Sequence, residues 1–235
     1  MSMPLAITLT TIVLAAVCYL LGSVNFAIIY TRQFAHTDVR AHGSGNAGMT
    51  NVLRTAGKLP AVLTFVCDFL KGAVAVALGR FAAYYLLDLL TGHSTSHLID
   101  PLYFAYLAGF FCLMGHIYPL FFSFKGGKGV ASMAGIMLVI DWRVLLIALG
   151  MFILVMVLSR IVSLSSIFAA LSLPISTFLL YHGGQYTFSL LGMPQRVVIT
   201  LFSVFLTVLV VIKHIPNIKR LLKGEEKKIF SKKKS

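Results

Sequence analysis

The stretch VASMAGIMLVIDWRVLLIALGMFILVMVL, residues 130–158, decides the fold. It is apolar throughout except where Asp141, Trp142 and Arg143 interrupt it. If it crosses a bilayer once, the tail of the chain ends on the face opposite the loop SFKGGKG, residues 123–129. If it crosses twice, or dips in and returns, loop and tail share a face. Basic residues gather on the cytoplasmic side of membrane proteins, so their distribution decides between the two. With two crossings, Arg32, Arg40, Arg54, Lys58, Lys125, Lys128, Arg160 and the nine basic residues of 213–234 lie together, and only Arg143 and Arg196 fall opposite. We therefore expect two passes, the N-terminus outside and the C-terminus in the cytoplasm. The first pass has only 11 residues, where a spanning helix needs about 20. It is expected to be tilted, partly re-entrant or buried by its neighbours.

Outward from this stretch the pattern repeats. Apolar runs cover roughly Leu5–Tyr30, Pro60–Leu90, Leu102–Phe122, Ser163–Tyr181 and Val197–Ile212. A polar segment, Thr31–Leu59, follows the first run, and the loop Thr91–Pro101 carries no Lys or Arg. The runs are continuously apolar rather than alternating, which favours helices over a barrel. The expectation is an all-α integral membrane protein with about seven transmembrane helices. It forms a single domain over residues 1–235, of which 220–235 are a basic cytoplasmic tail.

Composition agrees. Of 235 residues 58% are hydrophobic and 11% charged, and the mean hydropathy is +0.91. Roughly half apolar is already the globular norm, and no polar stretch is long enough to hold a separate soluble core. The net charge of +13 reads first as topology and second as attraction to an anionic partner. Nucleic acid does not fit, because the basic groups lie in short loops between spans. Cys18, Cys67 and Cys112 all fall in apolar runs and read as small hydrophobes, neither a disulfide set nor a metal site. The first apolar run has no basic residues before it and reads as a retained helix.

Two loops carry candidate chemistry. The first is GSGNAGMTN, residues 43–51, with Arg54 and Lys58 beyond. It contains G-x-G-x-x-G, but no strand precedes it and Asp68 lies inside an apolar helix, so the dinucleotide-fold reading fails. What survives is simpler. Glycines let backbone amides approach an anion, small hydroxyls and amides add donors, and arginine adds charge-assisted bonds. The second loop lies within GHIYPLFFSFKGGKGVA, residues 115–131. Lys125 and Lys128 flank two glycines before a helix, which suits a phosphate. The alternative is a flexible cytoplasmic loop for the first and an ordinary basic inside turn for the second.

The remaining candidates divide in the same way. His116 is either a packed histidine or, as an ionisable group in the membrane, a functional one. Asp68 and Lys71 stand at i, i+3 and can pair, for structure or in support of a site. Arg80 and Asp88 are expected to snorkel. The serines of SRIVSLSS, residues 159–166, either satisfy helix contacts or donate to a ligand. The residues around His214, Asn217 and Arg220 either lie on anionic lipid or join the site; Lys227–Lys234 reads only as the former. Four patches rich in Gly, Ser, Asn, Lys and Arg would share one face and could converge on an oxyanion site.

These motifs resemble one family, the polytopic bacterial acyl-phosphate:glycerol-3-phosphate acyltransferases. The resemblance runs through nearly the whole chain in order: Gly22-Ser23, GSGNAGMTNVLR with Gly57-Lys58, DFLKG at 68–72, GHIYPLFFSFKGGKGVA, the serine-rich boundary near Ser163, and NIKRLLKGEE. Departures are small. Met49 stands where the family usually has Ala, Asn25 where Pro is common, and Pro216 precedes Asn217 in a position that is usually polar.

The resemblance implies transfer of a fatty acyl group from acyl phosphate to the sn-1 hydroxyl of glycerol 3-phosphate. It implies no cofactor and no metal. The enzyme would be a monomer in the bacterial inner membrane with its site facing the cytoplasm, its partners being the two substrates and the lipid bilayer. Acyl phosphate is already activated, so positioning and charge neutralisation are the main tasks. On this reading Ser44, Gly45, Asn46, Thr50, Asn51 and Arg54 hold one phosphate, and Lys125, Gly126, Gly127, Lys128 and Gly129 the other. Ser23, Ser163, His214, Asn217 and Arg220 complete the wall, with Asp68 and Lys71 in support. Arg54, Lys128 and His116 are the catalytic candidates. The general base is His116 or a substrate phosphate oxygen, and which loop takes which phosphate stays open.

Three other readings compete, one of them a structural membrane protein, which would leave the two Gly-Lys loops unexplained. An anion transporter would place polar residues at mid-membrane in several helices, whereas here they cluster at one boundary. An acyltransferase using acyl-CoA or acyl carrier protein commonly carries H-x4-D, and no His in this chain has an Asp five positions on.

Overall fold

The computed structural model describes residues 1–92, 99–181 and 193–229, and the elements in them are all helical. Residues 230–235 of the basic tail and part of the Thr91–Pro101 loop lie outside the described residues. Six helical segments are long and apolar enough to cross a membrane: Met3–Ala35, Lys58–Thr91, Pro101–Phe122, Trp142–Ser159, Val162–Leu180 and Gln195–Lys213. A shorter apolar helix covers Val130–Ile140. The interruption at Asp141 is therefore a real helix end. Asp141 caps the next helix by accepting the Arg143 amide at 3.0 Å, and Arg143 Nη2 returns to its carboxylate at 2.7 Å. These bonds outweigh the desolvation that would raise the Asp141 pKa, and hold it below the usual carboxylate range.

The described residues form two compact units. In the first, residues 1–140, helix α1 (Met3–Ser23) leads to α2 (Phe26–Ala35). The short α3 (Met49–Thr55) is followed by α4 (Lys58–Phe81), which continues through a π-helical turn at Ala82–Leu86 into α5 (Leu87–Thr91). Helices α6 (Pro101–Ile117) and α7 (Val130–Ile140) complete the unit. Helix α1 packs on α6, and α4 on both α6 and α7. Glycine makes these crossings close: a β-carbon on Gly22 would overlap the Cys112 carbonyl, one on Gly115 that of Tyr19, one on Gly72 that of Ser132, and one on Gly135 that of Phe69. Association inside lipid gains little from hydrophobicity, and small residues allow the backbone approach that dispersion requires.

Two expectations change here. The first apolar run is not one helix. It breaks at Val24, where Asn25 caps α2 by accepting the Ile28 amide at 3.1 Å, and α2 then takes Thr31–Ala35 out of the expected polar segment. Arg80, expected to snorkel, is partly buried and bonded to protein. Its Nη2 donates to the Ile140 carbonyl at 3.0 Å, satisfying an orphan acceptor at the end of α7.

The second unit, residues 141–181 and 193–229, contains α8 (Trp142–Ser159), α9 (Val162–Leu180), α10 (Gln195–Lys213) and α11 (Ile215–Leu222). Helix α9 packs on both α8 and α10. Thr207 Oγ1 donates to the Ala170 carbonyl at 3.0 Å across that contact. Leu154, Val157 and Leu158 of α8 are exposed apolar residues, the surface that lipid rather than water covers.

Candidate active site

The first glycine-rich loop is built around a side chain that the sequence cast as a ligand. Asn51 is buried. Its Oδ1 accepts the Ser44 amide at 3.0 Å, while Nδ2 donates to the carbonyls of Val39 and His42 at 2.8 and 2.9 Å. Its hydrogen-bonding capacity is used inside the loop, so Asn51 is a brace and not a phosphate ligand. Gly43, at φ 60°, leaves the space that Asn51 Oδ1 occupies. The Gly45 amide is also engaged, donating to the His42 carbonyl at 3.0 Å. Four other candidates stay available. The side chains of Ser44, Asn46, Thr50 and Arg54 have no hydrogen-bond partner among the described residues, and Arg54 is exposed. Thr50 and Arg54 stand at i, i+4 on α3 and therefore share a face.

The loop is tied to the second one by Arg40, which the sequence reading had only counted as a charge. Its guanidinium pairs with Asp38 at 2.8 Å and donates to the carbonyls of Phe122 at 2.8 Å and Lys125 at 3.4 Å. Arg40 holds the Asp38 carboxyl well below the usual carboxylate range. An aspartate two residues before the arginine was the available signal, but Phe122 lies 82 positions away.

In the second loop Gly126 and Gly127 do not cradle an anion through their amides. Those amides donate to the carbonyls of Ile117 and His116, each at 3.2 Å. Their value is their lack of a side chain. A β-carbon on Gly126 would overlap the His116 carbonyl, and one on Gly127 would overlap His116 Nε2 and lie 2.5 Å from the Ala47 carbonyl. The two glycine-rich loops therefore touch at Gly127 and Ala47. Gly129, at φ 85°, turns the chain into α7, whose N-terminus is a favourable place for negative charge. Lys125 is exposed and Lys128 half-buried.

Beneath this loop lies a buried charged cluster. Lys71 Nζ is 2.7 Å from Asp68 Oδ1 and donates to the carbonyls of Val24 at 2.8 Å and Gly22 at 3.1 Å. His116 Nδ1 faces the same Asp68 oxygen at 3.5 Å, and all three residues are buried. Ser23 is buried as well. Its hydroxyl donates to the Tyr19 carbonyl at 2.8 Å and accepts the Leu120 amide at 3.2 Å, so it fastens the second loop to α1 and has no surface for a ligand.

The second unit carries the remaining candidates, and they close around a residue outside the candidate set. Glu226 accepts from Ser163 Oγ at 2.7 Å, Asn217 Nδ2 at 2.6 Å and Arg220 Nε at 2.6 Å. His214 is buried, its Nδ1 2.8 Å from the Val210 carbonyl. Ser165 and Ser166 donate to the carbonyls of Ile161 and Val162 and satisfy helix contacts only. Glu226 ends the stretch NIKRLLKGEE, from which the sequence pointed only to Asn217 and Arg220 as site residues.

Partial burial alone would raise the Glu226 pKa, but the bonds from Asn217, Ser163 and Arg220 together hold it below the ordinary glutamate range. A depressed folded value means that this contact stabilises the fold above the ordinary value and is lost as pH falls through the depressed one. In a melting series on purified protein, wild type should therefore lose stability on acidification below about pH 4, and Glu226→Gln should be less stable at pH 7 and lose less over that range, Asp38 and Asp141 still titrating.

Comparison with known proteins bears on this arrangement. A family model described as glycerol-3-phosphate acyltransferase matches residues 12–224. The chain is 40% identical over 222 residues to a glycerol-3-phosphate acyltransferase of Clostridioides difficile (strain 630), covering 94% of this chain and 97% of that one. It is 37% identical over 221 residues to one of Prochlorococcus marinus (strain MIT 9515), covering 94% and 98%. Among solved structures it is similar to PlsY (YgiH), an integral membrane glycerol 3-phosphate acyltransferase, in its glycerol 3-phosphate form, with a TM-score of 0.73, 32% identity, and 93% and 95% of the two chains covered. The lysophosphatidic acid form gives a TM-score of 0.70 at 30% identity, with the same shares covered.

Proposed function

The chain belongs to the glycerol-3-phosphate acyltransferase family, and from that premise we propose that it transfers a fatty acyl group from acyl phosphate to the sn-1 hydroxyl of glycerol 3-phosphate. The products are lysophosphatidic acid and inorganic phosphate. The observation that carries the reading is the meeting of two glycine-rich loops at Gly127 and Ala47, with the side chains of Ser44, Asn46, Thr50 and Arg54 left without hydrogen-bond partners among the described residues. Donors and cations in that number suit phosphoryl oxygens.

In the reaction, the sn-1 oxygen attacks the acyl carbon, the bond from that carbon to the phosphate oxygen breaks, and phosphate leaves. The hydroxyl proton goes to a phosphate oxygen. This acceptor is preferred over His116, because one ring nitrogen faces Asp68 and the other lies against Gly127. Arg54 and Lys128 neutralise the charge that develops, while Ser44, Asn46 and Thr50 orient one phosphate and Lys125 with the start of α7 the other. In the second unit Ser163, Asn217 and Arg220 hold the Glu226 carboxylate, and His214 is buried beside them in sequence. No acyl-enzyme forms on this route; Cys18 and Cys112 are buried thiols within the helices.

The topology that goes with this function has seven passes, Val130–Ile140 being the short one, with the N-terminus outside and the tail and the site on the cytoplasmic side of the bacterial inner membrane. The protein acts as a monomer without cofactor or metal.

The test is direct. Purified protein is mixed with acyl phosphate and labelled glycerol 3-phosphate, and labelled lysophosphatidate is expected. The same mixture with acyl-CoA should give none. Product with acyl-CoA alone would move the chain to the other donor class.

A further inference from the structure

We propose that Asp68 and His116 form a positioning pair that fixes the Gly126–Gly129 turn, with Lys71 holding Asp68 in place. The inference rests on the function proposed above, because it takes that turn to grip a substrate phosphate. The chain of contacts begins at the end of α1. Lys71 on α4 donates to the carbonyls of Gly22 and Val24 where the first apolar run breaks, and lies 2.7 Å from Asp68. Asp68 faces His116 Nδ1, and the opposite ring nitrogen fills the space that a side chain at residue 127 would need. The His116 carbonyl then accepts the Gly127 amide at 3.2 Å. One residue thus meets the turn through its ring and through its backbone, and a carboxylate anchored from below sets the ring.

A structural ion pair would need only its two members. Burying charge is costly unless further hydrogen bonds satisfy it, and here the extra contacts lead to two places, the broken end of α1 and the phosphate-binding turn. The His116 side chain is only 4% exposed, which leaves no approach for a substrate hydroxyl. Its geometry suits holding a loop rather than accepting a proton from a ligand. His116 is on this view a positioning residue, and Asp68 acts through it.

The ring's two ends can be tested separately. In His116→Asn the amide reaches the Nδ1 position and keeps the contact to Asp68, but leaves the space beside Gly127 empty. In His116→Gln the amide reaches the Nε2 position and fills that space. With purified enzyme in detergent, His116→Asn should raise KM for one of the two substrates about tenfold while kcat changes less than about threefold. His116→Gln should recover most of that KM. Hydrogen exchange at the Gly126 and Gly127 amides should be faster in His116→Asn than in wild type, and partly restored in His116→Gln. Asp68→Asn should raise the same KM; if it fails to fold, the histidine variants decide.

A fall in kcat of on the order of 10²-fold or more in both histidine variants, with KM unchanged, would make His116 the general base and overturn the proposal. Unchanged KM and unchanged exchange in His116→Asn would overturn it too. Wild-type protein that forms no lysophosphatidate from either donor sinks the proposed function instead, and exchange at Gly127 still reads the positioning.

Discussion

Arg54→Ala is expected to reduce kcat/KM for acyl transfer by on the order of 10²- to 10³-fold, the range seen when one preorganised donor to a developing oxyanion is removed. The loss corresponds to roughly 3–4 kcal/mol of transition-state stabilisation. The reason lies in what the guanidinium does not touch. It is exposed and has no partner among the described residues, whereas Arg40, Arg80, Arg143 and Arg220 are all bonded to protein atoms. On the proposed function, a cation on the same helix face as Thr50, beside a loop braced by Asn51, serves a substrate phosphate. Stability should hardly change, because exposed substitutions typically alter it by less than about 0.5 kcal/mol. Arg54→Lys should be intermediate, since an ammonium keeps the charge but lacks the planar fork that grips two phosphoryl oxygens. Lys128→Ala should fall in the same range as Arg54→Ala. Assays of initial rate against both substrates, with melting curves alongside, check the set. Wild-type turnover in Arg54→Ala and Lys128→Ala would remove both residues from the chemistry.

Gly127→Ala should have the second largest effect, for a steric reason. The added methyl would overlap the His116 ring and press on the Ala47 carbonyl, and neither neighbour is the free end of a flexible side chain. Either the turn moves away from the first loop or the His116 ring moves off Asp68. Overpacking of this kind costs about 1–3 kcal/mol, and a phosphate-binding turn displaced by about an ångström can lose on the order of 10²-fold in rate. We expect a lower melting temperature together with a rate loss of that order. Gly150→Ala is the control: beyond its own helical backbone and chain neighbours nothing lies within 4 Å of the added carbon, and alanine favours helix by about 1 kcal/mol over glycine. It should leave activity intact and stability equal or slightly higher. If Gly127→Ala behaves like Gly150→Ala, the contact between the two loops has no bearing on catalysis.

What the sequence disclosed without help was periodic or compositional. Apolar run length located the spanning helices to within a few residues, because a helix in lipid must satisfy its own backbone and cover itself with apolar side chains, and both requirements are local. The interruption at Asp141 was legible for the same reason, and its cap bonds run only two residues along the chain. The chemistry of the two glycine-rich loops was legible as residue types in order. The division of labour inside them was not. Asn51, Ser23, Gly126 and Gly127 have the composition of ligands, yet they serve as braces and spacers once the chain folds. The break after Ser23 was missed because it depends on Asn25 capping the next helix and on Lys71, nearly fifty positions on, receiving the freed carbonyls. For Arg40 and Glu226 the contacts that join distant segments could not be read along the chain, since Phe122 and Ser163 lie 82 and 63 positions away. By itself the sequence determined where helices run and which loops gather glycines, cations and small polar residues, since hydrophobic burial and charge can be read along the chain. Only the tertiary structure decided which of those residues are already bonded and which remain available, since a hydrogen bond between distant segments exists only after the backbone has brought donor and acceptor within about 3 Å.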